Sequence, residues 1–376
     1  MKVNNTIDAF FALLRAGLWE IDVQLAQYGS LDYGDILKIA QEQSVVGLVA
    51  AGLEHVTDVK VPQAVVLQFV GETLQIEQRN KAMNAFIAEQ AAILKSRGID
   101  YVLLKGQGIA QCYERPLWRS SGDVDLLLDE KNFCKAQQYL YTIASSYEPL
   151  LKEEKHQEFT VGSWIIELHG NQPTHFSHRT DELLAELQED AFAKSNVRIW
   201  DNNGVNIPQL CPDSDVLFVF THYLKHFFRG GIGLRQICDW CRLLYAYKDT
   251  IILETLHERL IKSKLMTEWL AFLAFAVDWL GMPGDAAPFY EEQNNLKRKA
   301  RRILDFILLT GNFGHNRDRS YYQRYPYIIG KFISLYWRSM DNIRYFLIFP
   351  VDSLRVLAWL IRHGFKNLNR TRIEAS

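Results

Sequence analysis

Arg119-Ser-Ser-Gly-Asp-Val-Asp-Leu-Leu-Leu-Asp129 is the stretch on which the rest of the chain is read. In an extended segment Asp123 and Asp125 lie two residues apart and point to the same face. Val124 and the run 126–128 make this a buried strand that ends at the surface. Two carboxylates crowded at such a place repel each other unless a cation sits between them. Hard oxygen ligands at this spacing suit Mg²⁺, and paired metal ions serve in-line attack on phosphorus. The pair therefore points to phosphoryl or nucleotidyl transfer. Short acidic pairs also cap helices and close turns, and Gly122-Asp123 is itself a turn signal, so the flanks must decide.

Upstream, Gly98-Ile-Asp-Tyr-Val-Leu-Leu-Lys-Gly106 reads as a helix stop, a short apolar strand over 101–104 and a glycine turn. Gly106-Gln107-Gly108 then opens a helical stretch through Tyr113. A strand, a glycine turn and a helix start turn backbone N–H groups toward an anion such as a nucleotide's phosphates, and Lys105 adds a point charge. Downstream, Phe159-Thr-Val-Gly-Ser-Trp-Ile-Ile-Glu-Leu-His169 reads as a hairpin around Gly162-Ser163. Alternation puts Glu167 on the face opposite Ile166 and Leu168. A carboxylate on a buried strand needs a partner or a metal, because an unpaired one is unfavourable there. A basic residue would satisfy it. So would a metal shared with Asp123 and Asp125.

Leu-Leu-Lys-Gly106, an arginine four residues before Asp-Val-Asp-Leu-Leu-Leu, and Ile-Glu-Leu-His169, in that order, resemble the uncharacterised bacterial nucleotidyltransferases of the DNA polymerase beta superfamily. The resemblance is strongest over residues 100–170. It implies a triphosphate held at a glycine turn after the first strand, and two Mg²⁺ ions held by two acids on the next strand and one on a later strand. Carried over by motif, the metal ligands and catalytic residues are Asp123, Asp125 and Glu167, and the nucleotide-binding residues are Lys105, Gly106 and Arg119. The chain departs from the superfamily pattern in having Gly106-Gln107 for the usual Gly-Ser or Gly-Gly pair. It also has a longer spacing to Asp123, and glutamate as the third carboxylate.

The wider chain supports a folded protein of more than one region. Its 376 residues are 48% apolar and 23% charged, enough for full-sized cores and too few charges for disorder. Residues 1–97 read as helical, with segments at about 6–19, 33–55 and 62–95. Residues 98–210 carry the strand signals, at 101–104, 123–128, the hairpin and a further stretch at 196–207, with a helix at about 130–143. From 211 to 376 the pattern is helical again. The expected fold class is therefore α+β: a small mixed-sheet, polymerase-beta-like core between N- and C-terminal helical regions.

Neither the opening residues nor the apolar C-terminal segments read as a signal peptide or a transmembrane span, since charges and Pro350 interrupt them. A cytoplasmic location is expected. Five cysteines cannot all pair and fit reduced thiols. Cys238-Asp-Trp-Cys241 has zinc or redox spacing but no second ligand pair, so it reads as core.

His222-Tyr-Leu-Lys-His226 puts two histidines on one helix face, without the glutamate of a zinc-protease motif. Arg235 and Asp239 follow, one turn apart. The family has similar histidine, arginine and aspartate positions after its core, which places His226 and Asp239 on the acceptor side of a substrate cleft. His175-Phe-Ser-His178 reads as a solvated loop. Residues 295–376 carry 16 Lys and Arg against 5 Asp and Glu, a net of +11 in a chain of net −2. With interleaved aromatics such as Tyr336-Trp-Arg338, this suits RNA or an anionic membrane surface, or helices docked on the acidic remainder. The reading is a Mg²⁺-dependent transferase of NMP from an NTP to an unknown hydroxyl acceptor. Its rival is a catalytically silent, nucleotide-binding or antitoxin-like interaction protein.

Overall fold

The computed structural model describes residues 2–150, 155–170, 174, 177–193, 196–312 and 324–358. Three helices open it: α1 (Lys2–Trp19), α2 (Tyr33–Glu42) and α3 (Val46–Glu54). The single helical segment expected over about 33–55 is thus two helices, broken at Ser44, whose φ of 57° lies outside the helical range. Asp32 starts α2 by accepting from Gly34 N and Asp35 N. Glycine sets the α1–α3 crossing. A Cβ on Gly52 would lie 2.0 Å from Leu13 O, and one on Gly17 would lie 1.8 Å from Leu48 O, so only glycine allows the two backbones to meet.

α4 (Gln63–Ser96) runs for 34 residues, about 50 Å at the helical rise, and leads through Gly98 to the sheet. The sheet has seven strands: β1 (Val102–Leu104), β2 (Val124–Leu127), β3 (Ser146–Tyr147), β4 (His156–Val161), β5 (Trp164–His169), β6 (Val197–Asn202) and β7 (Val205–Leu210). They lie in the order β3-β4-β5-β2-β1-β7-β6. β1 pairs antiparallel with β2, setting Leu104 opposite Asp125. β2 pairs parallel with β5, setting Asp125 opposite Glu167. The hairpin expected at Gly162-Ser163 is β4–β5. The stretch expected as one strand over 196–207 is a second hairpin, β6–β7, turning at Asn203-Gly204 with φ of 54° and 85°. Two consecutive positive φ values match the twist of the flanking strands.

α5 (Gly106–Ala110) is shorter than the sequence suggests, whereas α6 (Glu130–Ile143) has the expected bounds. Asp129 accepts from Asn132 N at 2.7 Å to start α6. α7 (His178–Ala193) was not expected. His178 opens this helix rather than lying in a loop, and it is exposed, while His175 lies outside the described residues. The C-terminal helices are α8 (Pro212–Arg229), α9 (Leu234–Ala246), α10 (Leu253–Ser263), α11 (Met266–Leu280), α12 (Asn294–Thr310) and α13 (Tyr327–Ile348).

Strand alternation sorts the two faces of the sheet. Leu103, Val124, Leu126, Ile166 and Leu168 pack under the second half of α4 (Met83, Ile87, Leu94) and under α6 (Phe133, Tyr139, Leu140). Val102, Leu104, Leu127 and Leu210 join the other core, which unites α1–α3 with the C-terminal helices. Trp240 and Trp269 meet edge-to-face there at 4.8 Å, and Phe220 packs on both. Cys238 and Cys241 are fully buried free thiols in that core. The fold is therefore mixed α and β, a seven-stranded sheet with helices flanking it. Among the described residues no helix is long and apolar enough to cross a membrane.

Candidate active site

Asp125 and Glu167 sit side by side on the sheet face that looks toward the C-terminal helices, because register pairs them across β2 and β5. Asp123 joins them from the residue before β2, two positions from Asp125 and so on the same side. Carboxylate oxygens of Asp123, Asp125 and Glu167 all lie within 4.8 Å of one another. Asp125 is 1% exposed, while Asp123 and Glu167 are half-buried.

Cationic side chains close around them. Lys105 Nζ donates to Asp125 Oδ1 at 2.9 Å. Lys105 stands at the end of β1 with a φ of 49°, beside Gly106 at 44°, a turn that swings the ammonium toward β2. A Cβ on Gly106 would lie 3.6 Å from Asp123 O, so this turn runs against the acidic strand. His169 Nε2 donates to Asp125 Oδ1 at 2.7 Å and lies 3.3 Å from Glu167 Oε2. His156 Nε2, across the hairpin, is also 3.3 Å from Glu167 Oε2. His156, Glu167 and His169 form a second group whose ligand atoms come within 4.8 Å of one another.

Proton affinities follow from this crowding. The charge of Asp125, and then burial, pushes Asp123 up to about 6. Burial would raise Glu167 too, but hydrogen bonds from His156 and His169, with the charge of Lys105, hold it well below the usual carboxylate range. Burial would lower Lys105 and His169. The carboxylates outweigh it, and both are raised above their ordinary values.

Beyond Lys105 lies α8. His222 Nε2 is 3.2 Å from Lys105 Nζ, and His226 Nε2 is 3.1 Å from His222 Nε2. Burial, then the charge of Lys105, pushes His222 well down and His226 down to about 3, so both stand as neutral imidazoles. The structure thus brings His226 toward the carboxylates through His222 and Lys105.

Arg119 and Asp239 are instead joined to each other. Arg119 Nε and Nη2 donate to the two Asp239 oxygens at 2.7 and 2.6 Å, a bidentate pair buried on both sides. Tyr113 OH donates to the same carboxylate at 2.8 Å, and Arg119 Nη1 donates to Ser121 Oγ. From α4, Asn80 Nδ2 donates to Leu117 O and Arg119 O. Arg119, expected to face phosphate, and Asp239, expected to line the cleft, thus form an internal clamp on the loop that delivers Asp123. Arg235, a turn before Asp239 on α9, donates through Nη1 to Ser120 O, and its charge lowers the proton affinity of Asp123. Its buried Nε has no hydrogen-bond partner among the described residues.

Sequence reasoning did not assign His169, His156 or Arg235 to the site. His169 was findable, since it lies two residues after Glu167 and so on the same strand face. His156 depends on hairpin register and Arg235 on how α9 docks, and neither shows in local sequence.

A search of curated proteins gives no match. A solved structure, that of an antigenic nucleotidyltransferase-like protein from Paracoccidioides brasiliensis, is 16% identical over 47% of this chain and 85% of that one, with a TM-score of 0.31. The family model described as uncharacterised nucleotidyltransferase matches residues 29–281. That span runs from before α2 to the end of α11 and takes in all three carboxylates, Lys105 and the two α8 histidines. The chain belongs to this family of uncharacterised nucleotidyltransferases and is, by kind, a transferase.

Proposed function

We propose that this protein moves a nucleoside monophosphate from an NTP to a hydroxyl acceptor, with Mg²⁺ held by Asp123, Asp125 and Glu167. The observation that carries this reading is the convergence of those three carboxylates within 4.8 Å. The donor set fits the ion: three hard oxygen ligands, one of them with its pKa raised by like charge, with the Lys105 ammonium and the His169 ring already drawn in against them. When bound, two Mg²⁺ ions would stabilise negative charge on the attacking and leaving oxygens.

The chain's own residues do the positioning. Asp125 is fixed by two donors, Lys105 and His169, and anchors the site from below. Asp123, half-buried at the strand entrance, faces the incoming substrate. Lys105 and Arg235 are the cations that we assign to the triphosphate, with Gly106 letting the backbone approach it. The unpartnered Nε of Arg235 supports that role, since a buried donor without an acceptor is unfavourable until one arrives. His222 and His226 orient Lys105. An imidazole held at about 3 is too weak a base to take the acceptor's proton at neutral pH.

The test is thermal stabilisation of the protein by each NTP with and without Mg²⁺, followed by pyrophosphate release in the presence of cell extract. We expect Mg²⁺-dependent stabilisation by at least one NTP and release that Asp125→Asn abolishes without altering the circular dichroism. Lys105→Ala should raise KM for the NTP by roughly tenfold or more, as loss of a charge-assisted phosphate contact does. Stabilisation that ignores both Mg²⁺ and Asp125→Asn would remove the reading.

A further inference from the structure

α13 and the helical residues 350–358 after it bury Tyr345, Ile348 and Val356 in the main core beside a few polar groups, and leave a second apolar face outside. Asp341, Asn342, Asp352 and Ser353 are buried. Asn342 Nδ2 donates to Ser353 O at 3.0 Å, and Ser353 Oγ donates to Asn342 O at 2.8 Å, which locks the two helical segments together. On the outside, Phe332, Leu335, Tyr336, Ile343, Phe346 and Leu347 are each between 47% and 68% exposed. Their spacings of three, four and seven put them on one stripe of α13. Val351 and Leu354, 58% and 57% exposed, extend the apolar surface onto the next segment. A helix already docked on its own protein by one apolar face does not need a second one open to water, so the outer face is shaped for an apolar medium.

Charge narrows what that medium is. The two acids within 324–358, Asp341 and Asp352, are the buried ones, paired with Arg344 and Arg355. Arg324 and Arg338 are exposed, and residues 295–376 as a whole carry +11. By helical spacing Arg338 and Arg344 fall on opposite flanks of the apolar stripe, and Trp337 beside them is 47% exposed. A second copy of the chain would set this basic surface against itself. Single-stranded RNA would use the arginines and aromatics but gains nothing from Leu335, Ile343, Leu347, Val351 and Leu354. An anionic bilayer uses all of them: acyl chains for the stripe, the headgroup region for Trp337 and Tyr336, and lipid phosphates for the arginines.

We propose that α13 and residues 350–358 bind in the plane of an anionic lipid bilayer, holding the transferase at a membrane surface. They lie in the interface rather than span it, since no described helix is long and apolar enough to cross. The test is flotation of the full chain with vesicles of phosphatidylcholine alone and of phosphatidylcholine with phosphatidylglycerol. The protein should float with the anionic vesicles, less with the neutral ones, and added salt should release it. Phe346→Asp with Leu347→Asp should raise the lipid concentration for half-binding by about tenfold or more, with melting temperature and circular dichroism unchanged. Phe332→Asp, at the most exposed position, repeats the test if the double variant unfolds. Arg338→Glu should weaken binding to anionic vesicles and leave the small neutral-vesicle component unchanged. Absence from the anionic vesicle fraction, or equal flotation of wild type and apolar-face variants, would overturn the proposal. So would binding of single-stranded RNA, or a dimer that Phe346→Asp with Leu347→Asp dissociates, in a protein that ignores vesicles.

Discussion

Asp123 carries the electrostatic tension of the site. Its pKa is pushed from the ordinary 3.8 to about 6, first by Asp125 and then by burial. A carboxyl whose folded value is raised contributes stability that is fully present below pH 3.8 and is lost as the pH rises to about 6. Ionisation of Asp123 should therefore take on the order of 2–3 kcal/mol from the metal-free protein across that window. Asp123→Asn removes the ionisation, so above pH 6 the metal-free variant should unfold at higher denaturant concentration than wild type, and the gap should close toward pH 3.8. Urea titrations at several pH values in a chelator measure it. A gap that does not change with pH would show that Asp123 does not feel Asp125. At this scale the sequence was legible where chemistry restricts spacing: Asp-x-Asp and the alternating Glu167 pointed to the same face without any coordinates. It was not legible for Lys105 and His222, 117 residues apart, whose contact exists only because α8 docks over β1.

Among the elements, the loop between α5 and β2 has the most to explain, because it must deliver Asp123 without a strand of its own. The clamp of Arg119, Asp239, Tyr113 and Asn80 does this from α9 and α4 together. Arg119 and Asp239 are both buried, so removing one partner leaves a charge without compensation. Asp239→Ala should cost about 3–5 kcal/mol in unfolding free energy, and Asp239→Leu with Arg119→Met far less than the sum of the single changes. Additive losses in denaturant unfolding would mean the two do not form the pair.

The α1–α3 crossing gives a second element-scale expectation. Gly52→Ala puts a methyl 2.0 Å from Leu13 O, and the helices must part, costing about 1–3 kcal/mol of stability. A variant with the wild-type midpoint would show that the crossing is looser than described. Strands and long helices were readable because periodicity and caps are local. The Asn203-Gly204 hairpin signal was present in sequence but lost inside one apolar-polar stretch, and α7 has too weak an apolar stripe to stand out.

For the molecule as a whole, the division into N-terminal helices, sheet and C-terminal helices is visible in sequence. What joins them is not. α1–α3 and α8–α12 share one core, closed by contacts such as Trp19 Nε1 donating to Leu280 O across 261 residues, and such pairing leaves no local trace. That shared core presses α8 and α9 onto the sheet face bearing the carboxylates, and so brings His222 and Arg235 up to Lys105 and the acidic strand. Nucleotidyl transfer breaks the bond between the α-phosphate and the leaving pyrophosphate of the NTP. Protein and cell extract, with Mg²⁺, should be given each NTP labelled either at the α- or at the γ-phosphate. Label from the α position should pass to an acceptor, with release of pyrophosphate, and should stop in Asp123→Asn. Transfer of the γ label instead, or α transfer that persists in Asp123→Asn, would contradict it.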